Sequence, residues 1–237
     1  MTFHTVNTIT FDVGGTLLFA HPSVGEVYAA VLARRGRECD PKALNDSFYQ
    51  VWRRLHPIPL RDISEAGERA RWRQVIDETF AGFADGIDMD DLFEELWDAF
   101  AHRHNWRWED DTEPTLRELR RRGFQLAVFS NWDSRLRPLL EETGLAKLFD
   151  ELFISCEMGM EKPHPAAFEK VRSHLDRSPS EILHIGDSAH HDIEGARQSG
   201  WHSLQIVPGL PPEHTGQITA LSELTKLLPP SPGASFR

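Results

Sequence analysis

From about residue 107 to residue 228 the chain repeats one short pattern. An apolar, β-rich run of strand length is followed by a segment of helical periodicity, with glycine or small polar residues at the joints. Gln125–Asn131 (QLAVFSN), Glu151–Cys156, Ile182–Asp187 (ILHIGD) and His202–Val207 read as strands. Glu113–Arg122, Ser134–Thr143, Pro165–Leu175 and Ala189–Ser199 read as helices. Buried strands that alternate with helices of this length imply parallel βαβ units with right-handed crossovers. An earlier run, Val6–Val13 (VNTITFDV), stops at Gly14-Gly15 and reads as one more buried strand. The expected fold class is α/β, a Rossmann-like parallel sheet flanked by helices.

Between that first strand and the rest lie several helical windows, about Val24–Leu32, Pro41–Arg54, Ser64–Phe83 and Asp88–His102. Trp52, Trp72, Trp97, Phe48, Phe80 and Phe100 are the candidates for a core of their own. The organisation is an α/β core over residues 1–20 and 107–228, interrupted by an all-helical insert over 21–106. The tail, 229–237, is rich in Pro, Ser and Gly and is expected to be disordered.

The net charge of -11 argues against a nucleic-acid or anionic-membrane partner, because no dense basic run offsets it. Two cysteines, Cys39 and Cys156, suggest neither a disulfide framework nor a zinc site. No basic-then-apolar leader begins the sequence, and no window approaches a membrane-spanning length of apolar residues. A cytoplasmic, soluble protein is expected, with a monomer as the default.

In an open parallel sheet, ligands bind beyond the carboxyl ends of the strands. The first strand delivers Asp12 there, followed by Gly14, Gly15 and Thr16. The second delivers Ser130 and Asn131, the stretch after the third carries Lys162, and the fourth delivers Asp187 and then Asp192. These residue types make joint chemical sense. A carboxylate attacks phosphorus and forms a covalent intermediate. Further carboxylates hold a hard divalent cation through oxygen, and the cation neutralises the transferring group. A lysine and a hydroxyl stabilise the same charge. An aspartate at a strand end also caps helices, and Ser-Asn pairs form turns, but those roles do not explain the four segments together.

FDVGGTLL (11–18), SN (130–131), the lysine of EKPHP (161–165) and GDSAHHD (186–192) resemble the four ordered motifs of the haloacid dehalogenase superfamily. The helical insert resembles that family's cap, which is expected to close over the site, exclude water and decide substrate choice. By position, the resemblance implies Asp12 as nucleophile, Mg²⁺ bound by Asp12, the Gly14 carbonyl and Asp187, and Asp192 binding or supporting the metal. It implies Ser130 and Lys162 on the phosphoryl group, with Lys162 also neutralising the nucleophile. Thr16 would shape the first loop and hydrogen-bond near the nucleophile, and Asn131 would join the substrate-binding set.

One position departs from the pattern. Most phosphatases of that family carry a second aspartate two residues after the nucleophile, which protonates the leaving group and then activates water. Here that position is Gly14. Loss of a general acid/base costs on the order of 10²–10⁴-fold in rate. His21, His164, His190 and His191 lie near the motifs and could in principle move protons, yet read as exposed loop residues. Three functions stay open at this stage. The first is an Mg²⁺-dependent phosphohydrolase with a weakened acid/base step, suited to acyl phosphates and other small phosphorylated substrates with good leaving groups. The second is a non-catalytic metal- or phospholigand-binding protein. The third is a haloacid dehalogenase-type or C–P hydrolase, which the two carboxylates of GDSAHHD and a surface setting for Lys42 count against. On the first reading, Gly14→Asp is expected to raise turnover.

Overall fold

The computed structural model describes residues 3–59 and 62–231. The chain divides into two units, one formed by the residues up to Leu18 and from Trp108 onward, the other by Phe19–Arg107.

The first unit opens with β1 (Thr8–Phe11), whose four residues are all buried. The second unit follows. It begins with β2 (Phe19–Ala20), then carries α1 (Val24–Arg34), α2 (Pro41–Leu55), α3 (Glu65–Thr79) and α4 (Met89–Ala99), and closes with β3 (Trp106–Arg107). β2 and β3 pair antiparallel in a ribbon two residues long, which no sequence period announces. Each of the four helices starts at a side-chain cap. Ser23, Asp40, Ser64 and Asp88 each accept a backbone N–H of the first turn, so the helix starts are written into the sequence. Tyr28, Phe48, Phe80, Leu44, Val75 and Leu92 form the buried centre of this unit. Trp52, Trp72, Trp97 and Phe100 pack against it but are only partly buried. Trp52 stacks between Phe48 and Trp72 at centroid distances of 5.9 and 5.2 Å.

The rest of the first unit runs α5 (Thr112–Arg121), β4 (Gln125–Ser130), α6 (Leu136–Thr143), β5 (Glu151–Ile154), α7 (Ser155–Met158), α8 (Pro165–Leu175) and β6 (Ile182–Gly186). A π-type turn (Ala189–Glu194) and α9 (Gly195–Gln198) lead to β7 (His202–Ile206), β8 (Gln217–Ile218) and α10 (Leu224–Leu227). The sheet order is β5-β4-β1-β6-β7-β8 and every pairing is parallel. The fold is therefore the expected Rossmann-like α/β sheet flanked by helices. On one face Ala127 and Phe129 of β4 meet Ala167, Phe168 and Val171 of α8. Leu126 and Val128 alternate to the other face and are equally buried, so both faces are covered.

The expected helix over 189–199 is two pieces, because the turn through Ala189–Glu194 is wound as a π-helix. β8, at the sheet edge, lies outside every strand read from the sequence. Ser231 is buried and its N–H donates to the Arg122 carbonyl, whereas the remaining tail residues, 232–237, lie outside the described residues. Cys39 and Cys156 are both free. Among the described residues no helix is long and apolar enough to cross a membrane.

Candidate active site

β1 lies between β4 and β6, and the carboxyl ends of these three strands deliver the site. Asp12 is the first residue past β1, Ser130 is the last of β4, and Asp187 is the first past β6. After β5 the strand order reverses to β6 on the other side of β1, the position at which ligands bind in open α/β sheets.

Lys162 enters from the loop ahead of α8, and its side chain is 1% exposed. Its ammonium donates to Asp12 Oδ1 at 2.9 Å, to Asp192 Oδ1 at 2.5 Å and to the Phe129 carbonyl at 2.8 Å. It also lies 5.1 Å from the centroid of the Phe129 ring. An ammonium has three donors, and each finds an oxygen, as a buried charge requires. Ser130 Oγ donates to the same Asp12 oxygen at 2.9 Å. Asp12 Oδ1 is thereby fixed, while Oδ2 has no hydrogen-bond partner among the described residues.

Asp192 is tied at both oxygens. Oδ1 also accepts from His184 Nε2 at 3.0 Å, and Oδ2 accepts the Ser188 N–H at 2.9 Å. The carboxylate only accepts here, so the His184 proton resides on Nε2, and Nδ1 accepts the Thr10 hydroxyl at 2.8 Å. The sheet register supplies this pair, because Thr10 and His184 are direct partners across β1 and β6. The π-type turn brings Asp192 back against the end of β6, and glycine makes room for it. A Cβ at Gly186 would stand 2.2 Å from the Asp192 carboxyl carbon. Gly15 does the same for Asp187: with φ at +77°, its Cβ would fall 2.8 Å from Asp187 Oδ2.

Carboxylate oxygens of Asp12, Asp187 and Asp192 all lie within 4.8 Å of one another. If all three ionise, Lys162 compensates one charge and two remain, the charge of one divalent cation. Proton affinities reflect this crowding. Burial, together with the Asp192 charge, pushes Asp12 up to about 6 against the pull of Lys162. The protein packed around Asp187, and the charges of Asp12 and Asp192, push it up to about 8, although the residue itself opens to solvent. Burial opposes ionisation of Asp192 too, but Lys162 and His184 outweigh it and hold that carboxyl well below the usual range. Burial, then the charge of Lys162, keeps His184 neutral.

The family model of haloacid dehalogenase-like hydrolases matches residues 6–200. The chain belongs to that family. The human haloacid dehalogenase-like hydrolase domain-containing protein 3 is 35% identical over 206 residues, covering 85% of this chain and 82% of the relative. The rhythmically expressed gene 2 protein of Drosophila melanogaster is 32% identical over 212 residues, or 84% and 82% of the two chains. The glyceraldehyde 3-phosphate phosphatase of Methanopyrus kandleri is 37% identical over 100 residues, 42% of this chain and 43% of its own. Among solved structures, the HAD-hydrolase YfnB from Bacillus subtilis, bound to magnesium, superposes with a TM-score of 0.70 at 20% identity over 94% of this chain and 98% of its own.

The four motifs thus meet at the carboxyl ends of β1, β4 and β6, but individual residues take different parts. Both ends of the Asn131 amide are engaged by the main chain of Lys162, at 2.8 Å each, so Asn131 positions the lysine loop. The buried Thr16 hydroxyl makes no hydrogen bond among the described residues, so the expected bond near the nucleophile is not formed. His164 caps α8 by accepting the Ala166 N–H, His190 pairs with Glu194 at 3.2 Å, and His21 is exposed. His191 is buried, its Nδ1 3.2 Å from Ser188 Oγ, and so is not the exposed loop histidine that the sequence suggested. At Gly14 a Cβ would stand 3.2 Å from Trp132 Cζ3, so an aspartate there requires the indole to move. His184 and Thr10 were not singled out from the sequence. The available signal was a histidine inside an otherwise apolar buried strand.

Removing the ammonium while leaving its partners should expose how much of the fold it holds. Lys162→Met is expected to cost about 3–5 kcal/mol of unfolding free energy at neutral pH in magnesium-free buffer. In Lys162→Met/Asp192→Asn the loss should fall short of the sum of the single losses, because the two groups share one bond. Urea unfolding of the four proteins checks both expectations.

Proposed function

We propose that this haloacid dehalogenase-like hydrolase is an Mg²⁺-dependent phosphohydrolase that acts through an aspartyl-phosphate on Asp12, with its acid/base step weakened by Gly14. The observation that carries this reading is the asymmetry of Asp12: one oxygen is anchored by Ser130 and Lys162, the other has no hydrogen-bond partner among the described residues, and two further carboxylates lie alongside. A donor set of oxygen alone, with two excess negative charges, suits a hard divalent cation. Asp12, Asp187 and the Gly14 carbonyl would hold it, with Asp192 as support, since hydrogen bonds already occupy both Asp192 oxygens. When bound, Mg²⁺ supplies charge neutralisation for the transferring phosphoryl group.

The residues of the chain then divide the work. Asp12 Oδ2 attacks phosphorus, and the bond to the leaving group breaks with its electron pair going to the leaving oxygen. Ser130 and Lys162 fix the attacking carboxylate and offset charge at the phosphoryl group. Nothing at position 14 protonates the leaving oxygen, so a substrate whose leaving group departs as a stable anion is favoured. Water hydrolyses the aspartyl-phosphate, and with no carboxylate at position 14 to activate it this second step is slow. The same reading takes a small phosphorylated compound as partner, the helical unit as a cap, a monomeric chain and a cytoplasmic setting.

Gly14 also favours a second reading, a metal- and phospholigand-binding protein without turnover. Two features weigh against the haloacid- and C–P-cleaving alternatives. The three-carboxylate cluster suits metal chemistry, and Lys42, the lysine of the insert, is exposed and ion-paired to Asp46 at 2.7 Å.

The slow second step gives the first test. With p-nitrophenyl phosphate or acetyl phosphate and Mg²⁺, product should appear in a burst approaching one equivalent per enzyme, followed by slow turnover. EDTA or Asp12→Asn should abolish both phases. Absence of any turnover together with retained Mg²⁺ binding would favour the binding reading.

Proton affinity gives the second test. A cation binds the ionised carboxylates, and Asp187 is raised to about 8, so a proton must leave before Mg²⁺ binds below that pH. Affinity is expected to rise with pH by about tenfold per unit as Asp187 ionises, then level off. Below about 6, protonation of Asp12 should steepen the dependence. Calorimetry in buffers of different ionisation enthalpy reads both the affinity and the released proton, and an affinity that is flat with pH would contradict this account.

A further inference from the structure

Asp187 is held differently from the other two carboxylates of the cluster. Ser130 and Lys162 fix Asp12, and Lys162, His184 and the Ser188 N–H fix Asp192. Among the described residues no side chain donates to the Asp187 carboxylate. Its placement therefore depends on its main chain.

Both polar groups of the peptide that joins Asp187 to Ser188 are engaged. On one edge the Asp187 carbonyl accepts from Gln205 Nε2 at 2.8 Å, and on the other the Ser188 N–H donates to Asp192 Oδ2 at 2.9 Å. A peptide unit is planar, so two bonds at opposite edges fix its tilt. The main chain from which the Asp187 side chain projects is fixed with it.

The sheet register sets Gln205 at this place. Gly186, Gln205 and Gln217 are partners across β6, β7 and β8, which are neighbouring parallel strands. Gln217 Nε2 donates to Gln205 Oε1 at 2.8 Å, and Gln217 Oε1 accepts the Glu213 N–H at 2.7 Å. The row runs in one direction. It begins at a main-chain N–H, which only donates, and ends at a main-chain carbonyl, which only accepts. Each amide between them turns its oxygen toward Glu213 and its NH₂ toward Asp187. A flipped Gln205 would set its own oxygen against the Asp187 carbonyl.

We propose that Gln205, oriented by Gln217, is a positioning residue for the metal site, and that the pair sharpens its preference for Mg²⁺ over Ca²⁺. The proposal rests on the Mg²⁺ reading above and adds a selectivity to it. Mg²⁺ demands near-ideal octahedral geometry at short bond lengths, whereas Ca²⁺ accepts variable geometry and longer bonds. A carboxylate carried on a pinned peptide suits the smaller cation. Releasing that peptide costs Mg²⁺ binding more than Ca²⁺ binding.

Calorimetric titration of the whole chain with magnesium chloride and with calcium chloride at one pH tests this, beside the melting temperature of the metal-free protein. Gln205→Met keeps the length of the side chain and removes the donor. It is expected to weaken Mg²⁺ binding about tenfold and Ca²⁺ binding less than about twofold. Gln217→Glu leaves Gln205 in place but cannot donate to its oxygen, and turning the Gln205 NH₂ toward the new carboxylate takes it away from Asp187. The same selective loss is expected there, although an added negative charge by itself strengthens cation binding. Unchanged Mg²⁺ affinity in Gln205→Met overturns the assignment. So does an equal loss of both cations with a lowered metal-free melting temperature, the mark of a merely structural role. A rise in Mg²⁺ affinity in Gln217→Glu overturns the orienting part of Gln217. A wild type that binds neither cation overturns the metal reading itself.

Discussion

A buried ammonium holds the candidate site of this molecule together. Lys162 joins Asp12 at the end of β1, Asp192 in the turn after β6 and the Phe129 carbonyl in β4. Three parallel strands are thus pinned at their carboxyl ends by one charge. The desolvation of that charge is offset only because every proton on it finds an oxygen. Asn131 then fixes the main chain of Lys162, and His184, set by Thr10, fixes Asp192. Each constraint removes freedom from Asp12 before any ligand arrives, and such preorganisation is what the proposed phosphoryl-transfer chemistry would need from a protein.

The same arrangement is electrostatically incomplete. Burial, and then one ammonium against three carboxylates, raises the proton affinity of Asp187 and, less, that of Asp12. On the proposed reading, a divalent cation would relieve the repulsion among these three carboxylates. The glycines at 15 and 186 show how tightly it is enforced, because a single methyl group at either position would collide with a carboxylate.

Much of this was legible in the sequence. Asp12, Ser130 and Asp187 stand directly at or after strand ends, Lys162 and Asp192 follow in the motif segments beyond β5 and β6, and the helix starts at Ser23, Asp40, Ser64 and Asp88 carry their own caps. What stayed hidden depends on pairings distant in the chain. His184 matters because the register sets it opposite Thr10, and a lone histidine in an apolar strand does not announce its partner. Two-residue strands such as β2 and β3 are too short to show a period, and the π-type turn looks like ordinary helix in composition.

The central claim is that Asp12 carries the phosphoryl group. Wild-type protein incubated with acetyl phosphate and Mg²⁺, quenched in acid and reduced with borohydride, converts any aspartyl-phosphate to homoserine, which peptide mass spectrometry locates. Homoserine is expected at position 12, and none in protein treated with EDTA. Homoserine at another position, or none at all under conditions where acetyl phosphate is consumed, would contradict it.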